Sequence, residues 1–395
     1  MNSLWNDAMA QRCRSALALR AYTSRLIGGD RSLVLYGGGN TSLKQDGVLH
    51  VKGTGSDLGA VDESGFTALD LQRLRAHLDD QLLSDDDIMR RVDICKLDPS
   101  APKPSIETYL HAALPHAYIE HAHADAVLAV ANVAAGANAC AEAFGDLAPV
   151  VPYRHSGAAL ARACKSVFDQ HATPQTIGLV LAFHGVVAFG ATARESYDNL
   201  VRLVNAAETF LQKHGAWTTP AAGPQVPDMA AAEMLRAAAS AVAGFPLAMQ
   251  VVCTPATLAF ARRPDITDVA LQGPPTPQHA IYTKRIPLLG TDVDTFATDY
   301  RAYLARTLGP AAEHRIDAAP RIALNPEFGL CAFGVNAHYA GVAAEIYTHD
   351  IEIITRASGH GQYRSADEND IARAELEYGG FEQRERAAAA AGTHA

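Results

Sequence analysis

Three histidines in two short segments have the residue type and spacing of metal ligands. His121 and His123 lie two residues apart in the segment 117–123, whose partly alternating polarity favours a strand. Side chains at i and i+2 leave the same face of a strand, so both imidazoles would face one cation. His184 follows the apolar run 177–183, which predicts a buried strand that delivers a third imidazole. Three neutral imidazoles leave one coordination position open, as catalytic zinc requires.

A carboxylate upstream strengthens the metal-site hypothesis, because a His-x-His pair alone also occurs as two ordinary hydrogen-bonded side chains. Glu107 lies shortly before the pair, in a segment where Ser105 is suited to cap a helix. Glu107 could be a general base beside the metal, or it could only complement the helix dipole. His111 lies one turn further along the same helix face, and we interpret it as a core histidine rather than a neighbour of the site.

Two glycine-rich turns precede these residues, over 37–42 and 53–59. Glycines allow positive φ and let backbone N–H groups turn toward an anion, which suits a phosphate or an enediolate. A dinucleotide-binding G-x-G-x-x-G motif that starts at Gly53 fails on spacing, because its third glycine position is Leu58. The turns therefore favour an anion-binding role without a Rossmann fold.

The chain resembles the class II aldolase/adducin family, which includes fuculose- and rhamnulose-phosphate aldolases and ribulose-phosphate epimerases. The motifs that carry the resemblance occur in the family's order: Gly39-Asn40-Thr41-Ser42, Gly53-Thr54-Gly55, Ser105-Ile106-Glu107, His121-Ala122-His123 and His184-Gly185. Further segments are similar to the aldolase half of bifunctional rhamnulose-phosphate aldolase/short-chain dehydrogenase proteins: 51–58, 110–115, 123–126, 273–279, 283–285, 319–321 and 377–378. The dehydrogenase domain of those proteins has no counterpart up to Ala395, so we expect no dehydrogenase activity.

The resemblance implies an α/β fold of the class II aldolase type, an α+β sandwich. Its central, mostly antiparallel sheet would be flanked by helices, and a second, smaller α/β domain would follow. The segment 218–227 contains three prolines, which indicates a linker. We therefore expect a metal-binding catalytic domain over 1–217 and a C-terminal domain over 228–395, with a disordered tail after about residue 385. The second domain would act as a lid or in assembly.

The resemblance also implies roles for the four residues that suggested a metal. His121, His123 and His184 would hold zinc, with manganese or cobalt as alternatives because imidazole suits several divalent ions. The charge of the metal would stabilise the enediolate that forms when the carbon–carbon bond breaks. Glu107 would be the acid/base that gives a proton to the enediolate, or removes it in the condensation direction.

Substrate contacts are implied in the glycine-rich turns and before the glutamate. Asn40 and the N–H groups around Thr41 would hold the enediolate oxygens. Thr54, Gly55 and Ser105 match positions that grip the substrate phosphate in the family.

Ile106 departs from the family's pattern and leaves the phosphate open. Several phosphate-using aldolases carry a second serine at this position, whereas Ile106 has no hydroxyl group. Lys284 and Arg285 are candidates for the missing cationic contacts, although a Lys-Arg pair also suits a solvated edge.

The reaction that we expect is reversible retro-aldol cleavage of a ketose 1-phosphate, of rhamnulose or fuculose type, to dihydroxyacetone phosphate and an aldehyde. Alternatives on the same site are an aldolase for an unphosphorylated ketose, a sugar-phosphate epimerase and a decarboxylase. A non-catalytic adducin-like binding protein is a further alternative, but such a protein would not need the three histidines and the glutamate. The family also implies a homo-oligomer, with a tetramer favoured.

Composition limits the function classes. With 395 residues, the chain exceeds one typical hydrophobic core. A net charge of −10 gives no sign of a nucleic-acid surface or a polybasic membrane patch. We find no run near the ~20 apolar residues of a membrane span and no apolar signal-peptide region. Six cysteines without a C-x-x-C pair indicate reduced thiols in a cytoplasmic protein.

Overall fold

The computed structural model describes residues 1–54, 57–78, 85–310, 312, 315–380 and 382–385. The chain forms two compact units, the first made of residues 1–131 and 135–213 and the second of residues 132–134 together with the chain from residue 214 onward. The predicted linker lies in the second unit, where residues 219–228 form neither helix nor strand. The domain boundary at residue 217 stays a prediction, and the predicted disordered tail lies outside the described residues.

The first unit contains a seven-stranded sheet in the order β3-β2-β1-β4-β7-β6-β5. Its strands are β1 (Asn40–Gln45), β2 (Val48–Lys52), β3 (Phe66–Asp70), β4 (Tyr118–Ala122), β5 (Val150–Val151), β6 (Gly178–Leu181) and β7 (Gly185–Gly190). Every neighbouring pair is antiparallel except β5 and β6, which run parallel. The mostly antiparallel sheet predicted for this part of the chain is therefore confirmed.

Helices flank this sheet. They are α1 (Asp7–Ala10), α2 (Ala16–Gly28), α3 (Leu71–Leu78), α4 (Asp85–Asp93), α5 (Thr108–Ala113), α6 (Asp125–Ala131), α7 (Gly136–Phe144), α8 (Ala158–His171) and α9 (Ala193–Lys213). The long helix α9 packs against β7 and buries a stripe of apolar side chains at helical spacing that includes Leu200, Leu203 and Leu211. The helix α5 packs against α8.

The strand register places candidate site residues at the centre of the sheet. The pairing of β1 with β4 sets Asn40 opposite His121. The pairing of β4 with β7 sets Ala122 opposite Val186, two residues after His184. Hydrogen-bonded strands lie about 4.8 Å apart, so the register alone brings these positions to neighbouring strands.

The second unit contains a smaller, four-stranded sheet in the order β8-β11-β10-β9. Its strands are β8 (Ala248–Val252), β9 (Leu288–Leu289), β10 (Ile322–Asn325) and β11 (Gly329–Gly334). Its helices are α10 (Met229–Ala243), α11 (Pro255–Ala261), α12 (Ile266–Ala270), α13 (Ala280–Thr283), α14 (Val293–Leu308), α15 (Ala337–Ser358) and α16 (Glu368–Tyr378). The helix α15 packs on β8 and β11. The predicted smaller α/β unit is thus present.

In the described part of the chain, every helix is too short or too polar to cross a bilayer. The longest, α15, has 22 residues but carries Glu345, Asp350, Glu352 and Arg356.

Candidate metal centre

Three histidines converge where the central strand of the seven-stranded sheet ends. His121 lies on β4, His123 follows the end of that strand, and His184 lies in the turn between β6 and β7. All three are buried, and one ring nitrogen of each lies within 4.8 Å of those of the other two. The strand that was predicted over 177–183 ends earlier, at Leu181, so a turn rather than a strand end carries His184.

The turn at His184 has an unusual backbone. Phe183 has φ +56°, a value in the left-handed region that costs free energy in a non-glycine residue. Gly185 has φ +156°, and a Cβ atom at this position would lie 2.3 Å from the carbonyl oxygen of Ala122. The missing side chain therefore lets the turn pass close to the residue between His121 and His123.

His121 has its tautomer set by a backbone carbonyl. Its Nδ1 lies 3.1 Å from the carbonyl oxygen of Val186, which can only accept, so Nδ1 carries the hydrogen. Burial lowers the pKa of His121 although Glu107 acts in the opposite direction, so the ring is neutral. Its Nε2 is then an acceptor, yet it lies 3.1 Å from His123 Nε2 and 3.3 Å from Glu107 Oε2. A cation would satisfy these facing lone pairs, so the donor set fits a divalent metal.

Glu107 stands at the N-cap of α5, buried against the histidines. Its Oε1 lies 3.1 Å from His184 Nε2 and accepts a hydrogen bond of 3.2 Å from the Ser156 hydroxyl. Its Oε2 accepts a bond of 2.6 Å from Asn40 Nδ2. Burial acts to raise the pKa of Glu107, but His121, His184 and Asn40 together outweigh it and hold that pKa well below its usual range. The carboxylate is therefore ionised and able to accept a proton.

A chain of hydrogen bonds orients Asn40. Since its amide nitrogen faces the carboxylate of Glu107, its Oδ1 faces His111 and accepts from Nε2 of that ring. The other ring nitrogen, Nδ1, lies 2.7 Å from the Ser42 hydroxyl and accepts from it. Burial lowers the pKa of His111 well below its usual value, which keeps this ring neutral and its tautomer fixed. His111 therefore holds the Asn40 amide in one orientation.

The structure places the other predicted contacts of the first unit as follows. Ser105 lies beside the glutamate, with its hydroxyl 3.2 Å from Asn40 Nδ2. Thr54 donates a hydrogen bond of 3.1 Å to the carbonyl oxygen of the residue before Ser105. Thr41 is buried, and its hydroxyl is hydrogen-bonded to that of Ser24. Gly55 lies outside the described residues.

Lys284 and Arg285 lie in the second unit, where both have protein partners. Lys284 Nζ lies 3.2 Å from Asp317 Oδ1. The guanidinium of Arg285 lies 5.0 Å above the ring of Tyr303, and its Nη2 is 3.8 Å from a Glu368 oxygen. Contact of either residue with a substrate stays a prediction.

Two residues beside this centre were not assigned to it from the sequence, since His111 was interpreted as a core histidine and Ser156 was not singled out. His111 is buried, as a core histidine would be, but it also hydrogen-bonds to Asn40. Its spacing of four residues from Glu107 was the available signal, because side chains at i and i+4 share a helix face. Ser156 lies in the segment between β5 and α8, and no motif in the sequence marks it.

Comparison with known proteins identifies the family of this mixed α/β protein with its three-histidine site. Residues 18–211 match the family described as Class II Aldolase and Adducin N-terminal domain. Residues 227–385 match the family described as Aldolase class II, second domain. The chain belongs to the class II aldolase/adducin family.

Individual relatives are similar over different shares of the chain. The N-terminal class II aldolase domain of a conserved protein from Thermoplasma acidophilum is 34% identical, with a TM-score of 0.49 over 53% of this chain and 99% of its own. The l-fuculose-1-phosphate aldolase from Thermus thermophilus is 16% identical, with a TM-score of 0.35 over 52% of this chain and 96% of its own. The Uncharacterized oxidoreductase YuxG of Bacillus subtilis is 25% identical over 93% of this chain, which spans 58% of that protein's length.

Proposed function

We propose that this chain is a divalent-metal-dependent aldolase, a lyase that cleaves a ketose 1-phosphate of rhamnulose or fuculose type to dihydroxyacetone phosphate and an aldehyde. The observation that carries the proposal is the contact of one ionised carboxylate, Glu107, with two imidazoles of a three-histidine cluster. His121, His123 and His184 would hold zinc, or manganese or cobalt in its place. Such a cation supplies positive charge that stabilises an enediolate.

The acid/base role is assigned to Glu107. In the condensation direction its ionised carboxylate accepts a proton from a carbon of the three-carbon ketone. In cleavage the hydroxyl group that becomes the aldehyde carbonyl gives its proton to water, and the electron pair of the broken carbon–carbon bond stays on the three-carbon fragment. Glu107, after it takes a proton from water, gives that proton to the fragment. The hydrogen bonds from Asn40 and Ser156 keep the carboxylate in place during both directions.

The substrate contacts are assigned to groups beside this carboxylate. Asn40 Nδ2 and the N–H groups around Thr41 would donate to the enediolate oxygens. Thr54, Gly55 and Ser105 would contact the phosphate. Among these residues Ser105 has the best support as a substrate contact, because its hydroxyl lies within hydrogen-bonding distance of Asn40, the proposed contact of the enediolate.

Ile106 favours a second candidate, cleavage of an unphosphorylated ketose. It is half-buried immediately before Glu107 and has no hydroxyl to offer a phosphate. An epimerase or a decarboxylase would use the same metal and carboxylate. For Lys284 and Arg285, contact with the distal end of the substrate remains our prediction.

The protein is further expected to be a cytoplasmic homo-oligomer, with a tetramer favoured, that acts on a small sugar or sugar phosphate. Neither nucleic acid nor a membrane is an expected partner. Light scattering of the purified chain would give the oligomer size.

The decisive experiment measures metal content by elemental analysis together with release of dihydroxyacetone phosphate from a panel of ketose 1-phosphates. About one zinc per chain with release from one sugar would support the aldolase and name its substrate. Bound metal without release would move the assignment to an unphosphorylated ketose, an epimerase or a decarboxylase. A chain purified without chelator that holds no metal would contradict the proposal and favour the binding protein.

Replacement of Glu107 by Gln tests the acid/base role. The neutral amide keeps the shape but cannot accept the proton, so kcat should fall by about 10²–10⁴-fold while bound metal remains. The control is Glu142→Gln, which alters an exposed carboxylate paired with Lys213 and should leave kcat unchanged. Full activity of Glu107→Gln would mean that another group moves the proton.

A further inference from the structure

The second unit contains a polar cavity whose most unusual residue is Lys284. The cavity has a volume of about 150 Å³, and we name it the Lys284 cavity. Its described lining residues are Ile281, Lys284, Arg315, Ile316, Asp317, Arg321, Glu375, Gly379, Glu382 and Gln383. All of them belong to the second unit.

Lys284 is unusual in both its backbone and its side chain. It follows α13 with φ +61° and ψ 177°, a conformation that glycine tolerates and other residues adopt at a cost. Its ammonium is buried, where desolvation lowers its pKa although Asp317 opposes the change. Among the described residues, Asp317 supplies both acceptors that Nζ reaches, whereas an ammonium has three donors. The fold thus holds a strained, buried cation that faces a cavity and has donor capacity in reserve.

The walls around this ammonium are held rigidly. Arg321 uses all five of its N–H groups, on Asp317, Glu382 and the carbonyl oxygen of Ala319. The contacts to both carboxylates are bidentate, which fixes their planes as well as their positions. Arg321 therefore supports the cavity and has no N–H group left for a ligand.

Glu375 supplies an acceptor on another wall. Both of its carboxyl oxygens lie within 2.7 Å of the Tyr300 hydroxyl, which has only one hydrogen to give. The carboxyl group therefore retains acceptor capacity. Glu375 and Lys284 both line the cavity.

The charge balance of the lining argues against an ionic ligand. The lining carries three cations, Lys284, Arg315 and Arg321, and three acids, Asp317, Glu375 and Glu382. Because burial raises the pKa of Glu375 to about 7, that carboxyl is partly protonated near neutral pH, and the net charge of the lining lies between zero and about +1. A phosphate would meet three carboxyl groups, and a metal cation would meet carboxylates that already bind arginine or lysine. Hydroxyl groups, which both donate and accept, match a lining that offers an ammonium donor and a carboxyl acceptor.

The volume of the cavity and its apolar lining residues limit the class of ligand further. At ~30 Å³ for each water molecule, the volume corresponds to about five waters, or to a molecule of roughly six to eight non-hydrogen atoms. Ile281 and Ile316 add apolar surface that suits the C–H groups of a polyol. We infer that the Lys284 cavity binds a small neutral polyhydroxylated molecule of about three or four carbons. This binding would exist whether or not the metal centre is an aldolase.

The test uses saturation-transfer NMR on the full chain loaded with zinc, with glycerol and erythritol as separate probes and inorganic phosphate as a competitor. The native chain should give signals with glycerol or erythritol, and an excess of phosphate should leave these signals unchanged. Since vicinal hydroxyls also bind metal ions, the same spectra are recorded on His121→Ala, and the polyol signal should survive there. A signal that disappears with His121→Ala would locate the binding at the metal centre and overturn the inference.

Two substitutions then assign the signal to the cavity. Ile316→Phe fills the space without removing a charge, and Lys284→Gly removes the ammonium while it relaxes the backbone at φ +61°. Both should lose the polyol signal. Ile94→Phe adds the same ring at an exposed position of the first unit and should keep it. Polyol signals that persist in Ile316→Phe, or polyol signals that inorganic phosphate abolishes, would overturn the inference.

Discussion

The two units each bury a polar cluster, but the two clusters differ in how far their charged groups are paired within the protein. In the Lys284 cavity, carboxylates meet cations, and Arg321 has a partner for every N–H group. In the candidate metal centre, the neutral ring of His121 turns an acceptor nitrogen toward the carboxylate of Glu107, which is also an acceptor. Unmatched buried polar groups are costly. The unmatched acceptors of the first unit are groups that a bound cation would satisfy, whereas the second unit pairs its arginine and its carboxylates with one another.

The largest expected effect breaks the metal centre. Replacement of His121 by Ala removes one of three ligands, so bound metal and turnover should be lost together, with kcat/KM down by at least about 10³-fold. Elemental analysis and the aldol cleavage assay measure the two quantities.

The control for this substitution is His171→Ala, which removes an exposed imidazole at the end of α8 and should change neither quantity. Loss of metal with full turnover in His121→Ala would show that the reaction does not require the metal.

The second expected effect breaks the charge balance of the second unit. Replacement of Arg321 by Met leaves the partly buried carboxylates of Asp317 and Glu382 without their shared cation, which should lower the free energy of unfolding by about 3 kcal/mol, the low end for a buried ion pair. Denaturant unfolding monitored by circular dichroism measures the loss, and metal content should not change. The matched control is Arg306→Met, which breaks an exposed pair with Glu368 and should unfold like the native chain. Equal stability of the two variants would contradict this account.

The third effect is a dependence of stability on pH from Glu375. Burial raises the pKa of Glu375 to about 7 in the folded chain, from 4.5. The folded state keeps this proton to higher pH than the unfolded state, so the stabilisation is complete below pH 4.5 and is lost as the pH rises through about 7. The loss amounts to about 3 kcal/mol.

The measurement compares unfolding of the native chain and of Glu375→Gln at about pH 5 and about pH 8. Glutamine does not titrate, so the difference in the free energy of unfolding between the two chains should change with pH. The native chain should be favoured more at about pH 5 than at about pH 8. A constant difference would show that Glu375 titrates normally.

The smallest expected effect tests whether His111 acts as a positioning residue for Asn40. His111→Phe keeps the ring volume but removes the donor that orients Asn40, so kcat should fall by about 10–100-fold with bound metal unchanged. His111→Gln restores a donor and should recover part of the loss. If KM alone changed, Asn40 would be needed for ground-state binding rather than for the transition state.

Local patterns made much of the fold and the metal ligands predictable. His121 lies on β4 and His123 directly follows it, so the period of two of an extended chain brings their imidazoles together. The predicted helix after Ser105 is present, but the predicted cap was wrong, because Glu107 rather than Ser105 is the N-cap residue of α5. The antiparallel sheet and the smaller second α/β unit were expected from the resemblance to the family, and the structure confirms both. These features depend on spacing within a segment or on an ordered set of motifs, which the sequence shows directly.

Contacts between distant segments were not predictable in the same way. Ser156 reaches Glu107 across 49 residues of chain, and nothing in its own segment signals this. The pairing of Lys284 with Asp317 likewise depends on how α13 meets the segment before β10. The sequence shows the residue types in such pairs, but the folded chain decides which charges meet.

The absence of a side chain at Gly185 limits which mutations of the gene are tolerated at this position. Every base change that alters a glycine codon to another amino acid adds at least a Cβ atom, and here that atom would lie 2.3 Å from the carbonyl oxygen of Ala122. Every single-base change that replaces this glycine should therefore destabilise the turn. We expect selection to remove such replacements, so that other positions around Gly185 vary among descendants of the gene while Gly185 itself stays unchanged.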